Sequence, residues 1–182
     1  MIKLLNTKIN KKGEPLNYFY MKRFSYPSAV KAGISAEDET SFIVNFFKNQ
    51  DKIEIFQKKK IKVDLVYFPR SNTYGVSEKF KELFKDKLKA EFFPTSIDGY
   101  YLMVVDNVVD CVDKEKTKIT YTYSDRRCAY KSPAKIILNE KIVENELLFS
   151  IPEEPLNTFC TKKFMKMCED YKITNVHFEE FV

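Results

Sequence analysis

Asp106, Asp110 and Asp113, followed by Glu115 and Lys116, are the strongest candidate for chemistry in this 182-residue chain. Carboxylates in such number hold Mg2+ in metal-dependent nucleases, where the ion supplies the nucleophile and stabilises developing charge. The spacing argues against that use. The three Asp side chains share a face only on a helix, and Val108, Val109, Cys111 and Val112 are interleaved among them. At a strand end and turn, Asp side chains instead accept from backbone amides. The expectation is a structural role, with no catalytic residue here and no metal.

Other reactive groups are sparse. Lys58-Lys59-Lys60 and Arg126-Arg127, the latter near Tyr121, Tyr123 and Tyr130, are the material of a nucleic-acid contact. A lysine run between two strands is also how a solvated turn looks, and edge lysines deter aggregation. A nucleic-acid-binding module built on the basic front part is therefore the alternative reading. The cysteines at 111, 128, 160 and 168 contain no CxxC pair, so reduced and mostly buried thiols are expected. The sole histidine, His177, alternates with Val176 and Phe178 and is expected on a strand at a surface or edge. A Gly-rich phosphate loop, a GxSxG elbow and an HExxH pair are all missing. These observations favour a binding protein over an enzyme, with no cofactor.

The elements that must position these residues follow from periodicity. Ser77 is an N-cap candidate before the stripe Phe80, Leu83, Phe84 and Leu88, with charged residues on the other face. Asp98-Gly99 between apolar runs predicts a hairpin into YYLMVV. Thr161 stands before Phe164, Met167 and Cys168 as Ser77 stands before Phe80, Leu83 and Phe84, so two similar units of capped helix plus strand are expected, both helices on one sheet. A helix is expected from Ser35 to about Asn49, on Phe42, Ile43, Phe46 and Phe47. Strands are expected around 17–24, around Ile53–Ile55, over 61–65 and at Lys118–Tyr123, Lys135–Leu138 and Leu147–Ile151. The fold class is α+β, with a largely antiparallel or mixed sheet. Residues 1–182 are expected to form one domain. The opening MIKLLNTKINKK has too short an apolar stretch for a signal peptide, and no window approaches a membrane span, so a cytoplasmic protein is expected.

Charge is uneven. The net +5 divides into −4 from Asn139 onward and +9 before it. Positive and negative stretches of one chain can meet each other or present two different faces to partners.

The segments GVSEKFKELF, EFFPTSIDGYYLMVVDNVVDCVD, ELLFSIPEEP and TFCTKKFMKMCEDYKITNVHFEEF, in this order, give the stretch from Gly75 to the C-terminus a family likeness. It resembles the immunity proteins of bacterial polymorphic toxin systems, a family first known as a domain of unknown function in myxobacteria and other bacteria. Asn175 stands where that family usually has Gly before its last strand, and Asn also tolerates a left-handed turn. Residues 1–70 match no named family; 75–182 form the immunity-like part. The resemblance implies an α+β fold and a protein that binds a cognate toxin and neutralises it without catalysis. Read with the charge asymmetry, the candidate partner-binding residues are Glu153, Glu154, Glu169, Asp170, Glu179 and Glu180. Glu153 and Glu154 are expected in a loop between Pro152 and Pro155.

Overall fold

A computed structural model describes residues 1–12, 15, 17, 19, 41, 44–57, 61–68, 72–123 and 129–181, with backbone alone in 118–123, 129–135 and 155–156. The elements run β1 (Ile2–Thr7), β2 (Leu65–Tyr67), β3 (Thr73–Ser77), α1 (Glu78–Phe84), β4 (Ala90–Pro94), β5 (Tyr100–Val105), β6 (Lys118–Tyr123), β7 (Ala129–Lys135), β8 (Leu148–Ile151), β9 (Glu154–Thr161), α2 (Lys162–Asp170) and β10 (Val176–Glu179). The strands make two four-stranded sheets, ordered β2-β3-β5-β4 and β10-β1-β9-β8, and the hairpin β6-β7. Every strand pair is antiparallel. The class is α+β.

Local chemistry accounts for the ends of α1. Ser77 is extended and its hydroxyl accepts from the Phe80 N–H at 3.2 Å, which satisfies one of the orphan donors of the first turn. Glu78 lies in that first turn, where a negative charge suits the helix dipole. Thr161 occupies the same place before α2 but does not cap it. Its hydroxyl donates instead to the Glu146 carbonyl at 2.8 Å, tying the helix start to the chain that leads into β8. Gly99, at φ 75°, takes the left-handed conformation that the β4–β5 turn requires, and Asn175, at φ 64°, does the same before β10.

The two sheets are built alike, with one strand exchanged in origin. In the first, the hairpin β2–β3 leads into α1, whose successor β4 lies beyond β5. In the second, β8–β9 leads into α2, and β10 lies beyond β1. The strand that β5 supplies from the next hairpin is supplied by β1 from the N-terminus. Registers agree. Ser77 faces Tyr100 as Thr161 faces Ile2, Leu65 faces Val76 as Leu148 faces Cys160, and Phe92 faces Met103 as Phe178 faces Leu5. Equivalent positions meet in one buried cluster: Leu65 and Leu148, Val76 and Cys160, Phe80 and Phe164, Phe84 and Cys168, Met103 and Leu5. The helices therefore do not lie on one sheet as expected. Each follows a strand of a different sheet, and their stripes face each other, with the Phe84 and Phe164 rings 5.3 Å apart and Phe80 and Phe84 4.6 Å apart.

The outer faces are covered by chain that belongs to neither sheet. Phe19, Val44, Phe47, Ile53, Ile55 and Ile61 cover the first sheet. Cys111, Val112, Ile136 and Val143 cover the second. This explains why the alternation at 53–55 and 61–65 does not produce two strands: Ile53, Ile55 and Ile61 plug the sheet, Ile53 makes only an isolated bridge to Thr95, and the strand begins at Leu65. Lys58–Lys60 lie outside the described residues. So does much of the helix expected from Ser35, of which 44–48 are helical, and of the strand expected over 17–24. The strand expected at Lys135–Leu138 ends at Lys135, and Leu138 bridges Val112 instead. Gly75 is required by close approach, since a Cβ there would sit 2.4 Å from the Phe19 ring. At the equivalent place in the second sheet Phe159 fills that face with its own ring.

Cys111, Cys160 and Cys168 are free and buried, and Cys128 lies outside the described residues. Burial pushes the Cys111 thiol up to about 11 and those of Cys160 and Cys168 to about 12. Thiolate is the alkylating nucleophile, so these three should resist iodoacetamide at pH 8 in the native protein and react fully in denaturant. Mass spectrometry of the alkylated protein checks this; rapid native labelling of all three would contradict their burial.

Candidate functional site

The Asp cluster resolves into turn chemistry. Asp113 accepts from the Lys116 N–H at 3.2 Å and from the Lys116 ammonium at 2.7 Å, and the latter bond is the main force holding its carboxyl below the usual range. Asp110 pairs with Lys114 at 2.8 Å. Asp106 donates its backbone N–H to the Lys89 carbonyl. Among the described residues no group of three or more His, Cys, Asp or Glu could hold a metal ion. Arg126 and Arg127 lie outside the described residues; Tyr121 and Tyr123 belong to β6 and Tyr130 to β7.

The six acidic candidates fall on two surfaces. Glu153 and Glu154 are at the turn between β8 and β9. The loop expected between Pro152 and Pro155 is tighter than that: Pro152 and Glu153 make the turn and β9 begins at Glu154. A proline near the start of a strand costs little, because its missing N–H need not enter the ladder. Glu154 accepts from the Asn157 amide at 3.2 Å. Glu153 is half-buried, and one carboxylate oxygen is buried with no hydrogen-bond partner. Its charge helps raise the Cys111 thiol after burial and Lys114 after Asp110, so the turn sits beside the 110–114 segment.

Of the other four, Glu169 lines a shallow groove of about 580 Å3 between α2 and the edge of the second sheet, and the remaining three pair with residues of its walls. Lys162, Met165, Lys166 and Glu169 of α2 form one wall, and Lys3 of β1 with Val176, His177 and Phe178 of β10 form the other. Asp170 pairs with Lys166 at 3.0 Å, Glu180 with Lys3 at 3.7 Å, and Glu179 with His177 at 3.5 Å. His177 is exposed on the edge strand, as its alternation with Val176 and Phe178 predicts. In the first sheet the corresponding place is filled: the Tyr101 hydroxyl donates to Glu78 at 2.6 Å and Lys81 lies 3.9 Å over the Tyr101 ring.

Two residues escaped sequence reasoning, Asp64 and Thr174. Asp64, just ahead of β2, is buried and accepts from the Ser77 hydroxyl at 2.7 Å and from the N–H and hydroxyl of Thr174, both at 2.9 Å. It joins the cap of α1 to the loop before β10. Only the Ser77 cap signal pointed toward this place; an Asp paired across 110 residues leaves no local trace.

Residues 49–182 match the model of the Immunity protein family (Imm11), and the chain belongs to that family. The match starts ahead of Gly75, so it takes in the segment that covers β4, together with β2 and β3. No curated protein matches the chain. No helix among the described residues is long and apolar enough to cross a membrane.

Proposed function

We propose that this chain is a cytoplasmic immunity protein of a bacterial polymorphic toxin system, which neutralises its cognate toxin by covering it and has no turnover of its own. Membership of the immunity family over 49–182 carries this reading. The whole of 1–182 acts as one unit in it, since Leu5 enters the same buried cluster as Leu65 and Phe164. The β8–β9 turn is the toxin contact. Glu153 and Glu154 sit half-buried on a tight hairpin, which loses little freedom on docking, and their two carboxylates place negative charge at the tip of this edge for a basic partner. A toxin that acts on nucleic acid is such a partner.

Two measurements test this. Co-expression with the toxin domain encoded by the adjacent gene should restore growth; continued killing would refute the function. Reversing Glu153 and Glu154 to Lys should lower the association rate roughly tenfold at low salt, with the difference shrinking at high salt. An unchanged rate at low salt removes this turn from the interface while leaving the function standing.

A further inference from the structure

Three of the four edges of the two four-stranded sheets are met by other parts of the chain. Phe19 donates to the Tyr67 carbonyl at 2.8 Å along β2, Ile53 donates to the Pro94 carbonyl at 2.9 Å along β4, and Val109 donates to the Ser150 carbonyl at 2.9 Å along β8. Among the described residues nothing pairs with the outer side of β10. The Lys8 N–H bonds the Asn175 carbonyl, and β1 and β10 are antiparallel with Asn6 facing His177. Alternation then turns the backbone groups of His177 and Glu179 toward β1 and those of Val176, Phe178 and Glu180 outward. An exposed row of this kind is a template for another strand.

The charges of α2 identify the strand. Lys162, Lys163 and Lys166 occupy its N-terminal half and Glu169 and Asp170 its end, with no acidic residue in the first turn and no basic one in the last. This order opposes the helix dipole, whereas α1 opens on Glu78 in keeping with it. Lys166 and Asp170 pair along the helix at 3.0 Å, but the order of charges as a whole, basic half first and acidic end last, is complementary to the same helix running the other way.

We propose that β10 and α2 form a twofold contact with a second copy of this chain. The two β10 strands pair antiparallel with Phe178 opposite Phe178, and the basic half of each α2 faces the acidic half of the other. This register uses the outward-facing backbone groups of both strands. It sets His177 of each copy opposite Glu179 of the other, and it places the Val176 and Phe178 side chains of both copies on the helix side. The contact is isologous and closes as a dimer. It leaves the β8–β9 turn, on the opposite edge of the sheet, outside the contact.

Sedimentation of the full chain over a range of concentrations tests this without any toxin. The mass should rise from monomer to dimer. Lys162→Glu with Lys166→Glu should raise the dimer dissociation constant at least about tenfold, and Glu169→Lys with Asp170→Lys should do likewise. All four positions are exposed, so the thermal midpoint serves to confirm that each variant folds. The quadruple charge swap should restore dimerisation to within about threefold of wild type, because the helices then complement each other again. A chain that stays monomeric throughout overturns the proposal, as does a dimer indifferent to both reversals, or a quadruple variant no tighter than the doubles. A monomer whose β10 amides become protected from exchange only on adding the toxin would assign the edge to the toxin instead.

Discussion

Replacing Phe84 by Ala should lower the unfolding free energy by about 3–5 kcal/mol, the range for a large aromatic truncated in a packed core. Phe84 is fully buried and contacts rings from both units, Phe80 at 4.6 Å and Phe164 at 5.3 Å, with Tyr171 at 6.2 Å. Such ring pairs add about 0.5–1.5 kcal/mol each beyond the area they bury, and the cavity left behind sits where both helices meet. Its counterpart Cys168 is also buried but removes far less volume when cut to Ala, so that variant should lose only about 1 kcal/mol. Urea unfolding reads both. Equal, small losses would mean that the two helix stripes do not share one core. A chain of this length should melt about 10 °C lower for the Phe84 variant.

Asp64→Ala should cost about 1.5–3 kcal/mol, since it strips the charged partner from the Ser77 hydroxyl and from the Thr174 N–H and hydroxyl. Burial by itself raises the Asp64 carboxyl. Hydrogen bonds from the Thr174 N–H and from the Ser77 and Thr174 hydroxyls, with the Lys79 ammonium at 3.5 Å, outweigh it and hold the carboxyl below its ordinary 3.8. A carboxyl depressed in the folded state binds protons more readily once unfolded. Its stabilisation is therefore complete above the ordinary value and is lost as pH falls through the lower, folded one. Asp64→Asn should accordingly be less stable than wild type at pH 7, and the gap should narrow below about pH 3.8. Urea midpoints from pH 7 to pH 2 measure this. A gap that stays constant across that range would show that the charge of Asp64 contributes nothing.

Local signals determined a good part of this protein. The stripes Phe80/Phe84 and Phe164/Cys168 specified two amphipathic helices, because a 3.6-residue period can bury only one face. Ser77 specified the start of the first helix, since its hydroxyl reaches an amide three residues on. Asp98-Gly99 specified a hairpin, because Gly99 alone is free to take φ 75° there. The order of four short segments pointed to the immunity family, which the match over 49–182 shows.

Tertiary structure decided the rest. No local pattern marks Ile2–Thr7 as the strand between β9 and β10, because its pairing with residues 159–161 and 176–179 closes nearly the whole chain. That strand separates two four-stranded sheets from the single sheet the sequence suggested. Thr161 reads as a cap but bonds the Glu146 carbonyl, as a hydroxyl at the end of a strand takes whichever backbone group packing presents. The acidic residues were visible as a cluster only along the chain. Folding sends Glu153 and Glu154 to the β8–β9 turn, Glu169 to the groove beside β10, and Asp170, Glu179 and Glu180 to pairs with residues of that groove's walls. Composition sets how much charge a chain carries, but only long-range strand pairing sets which charges share a surface.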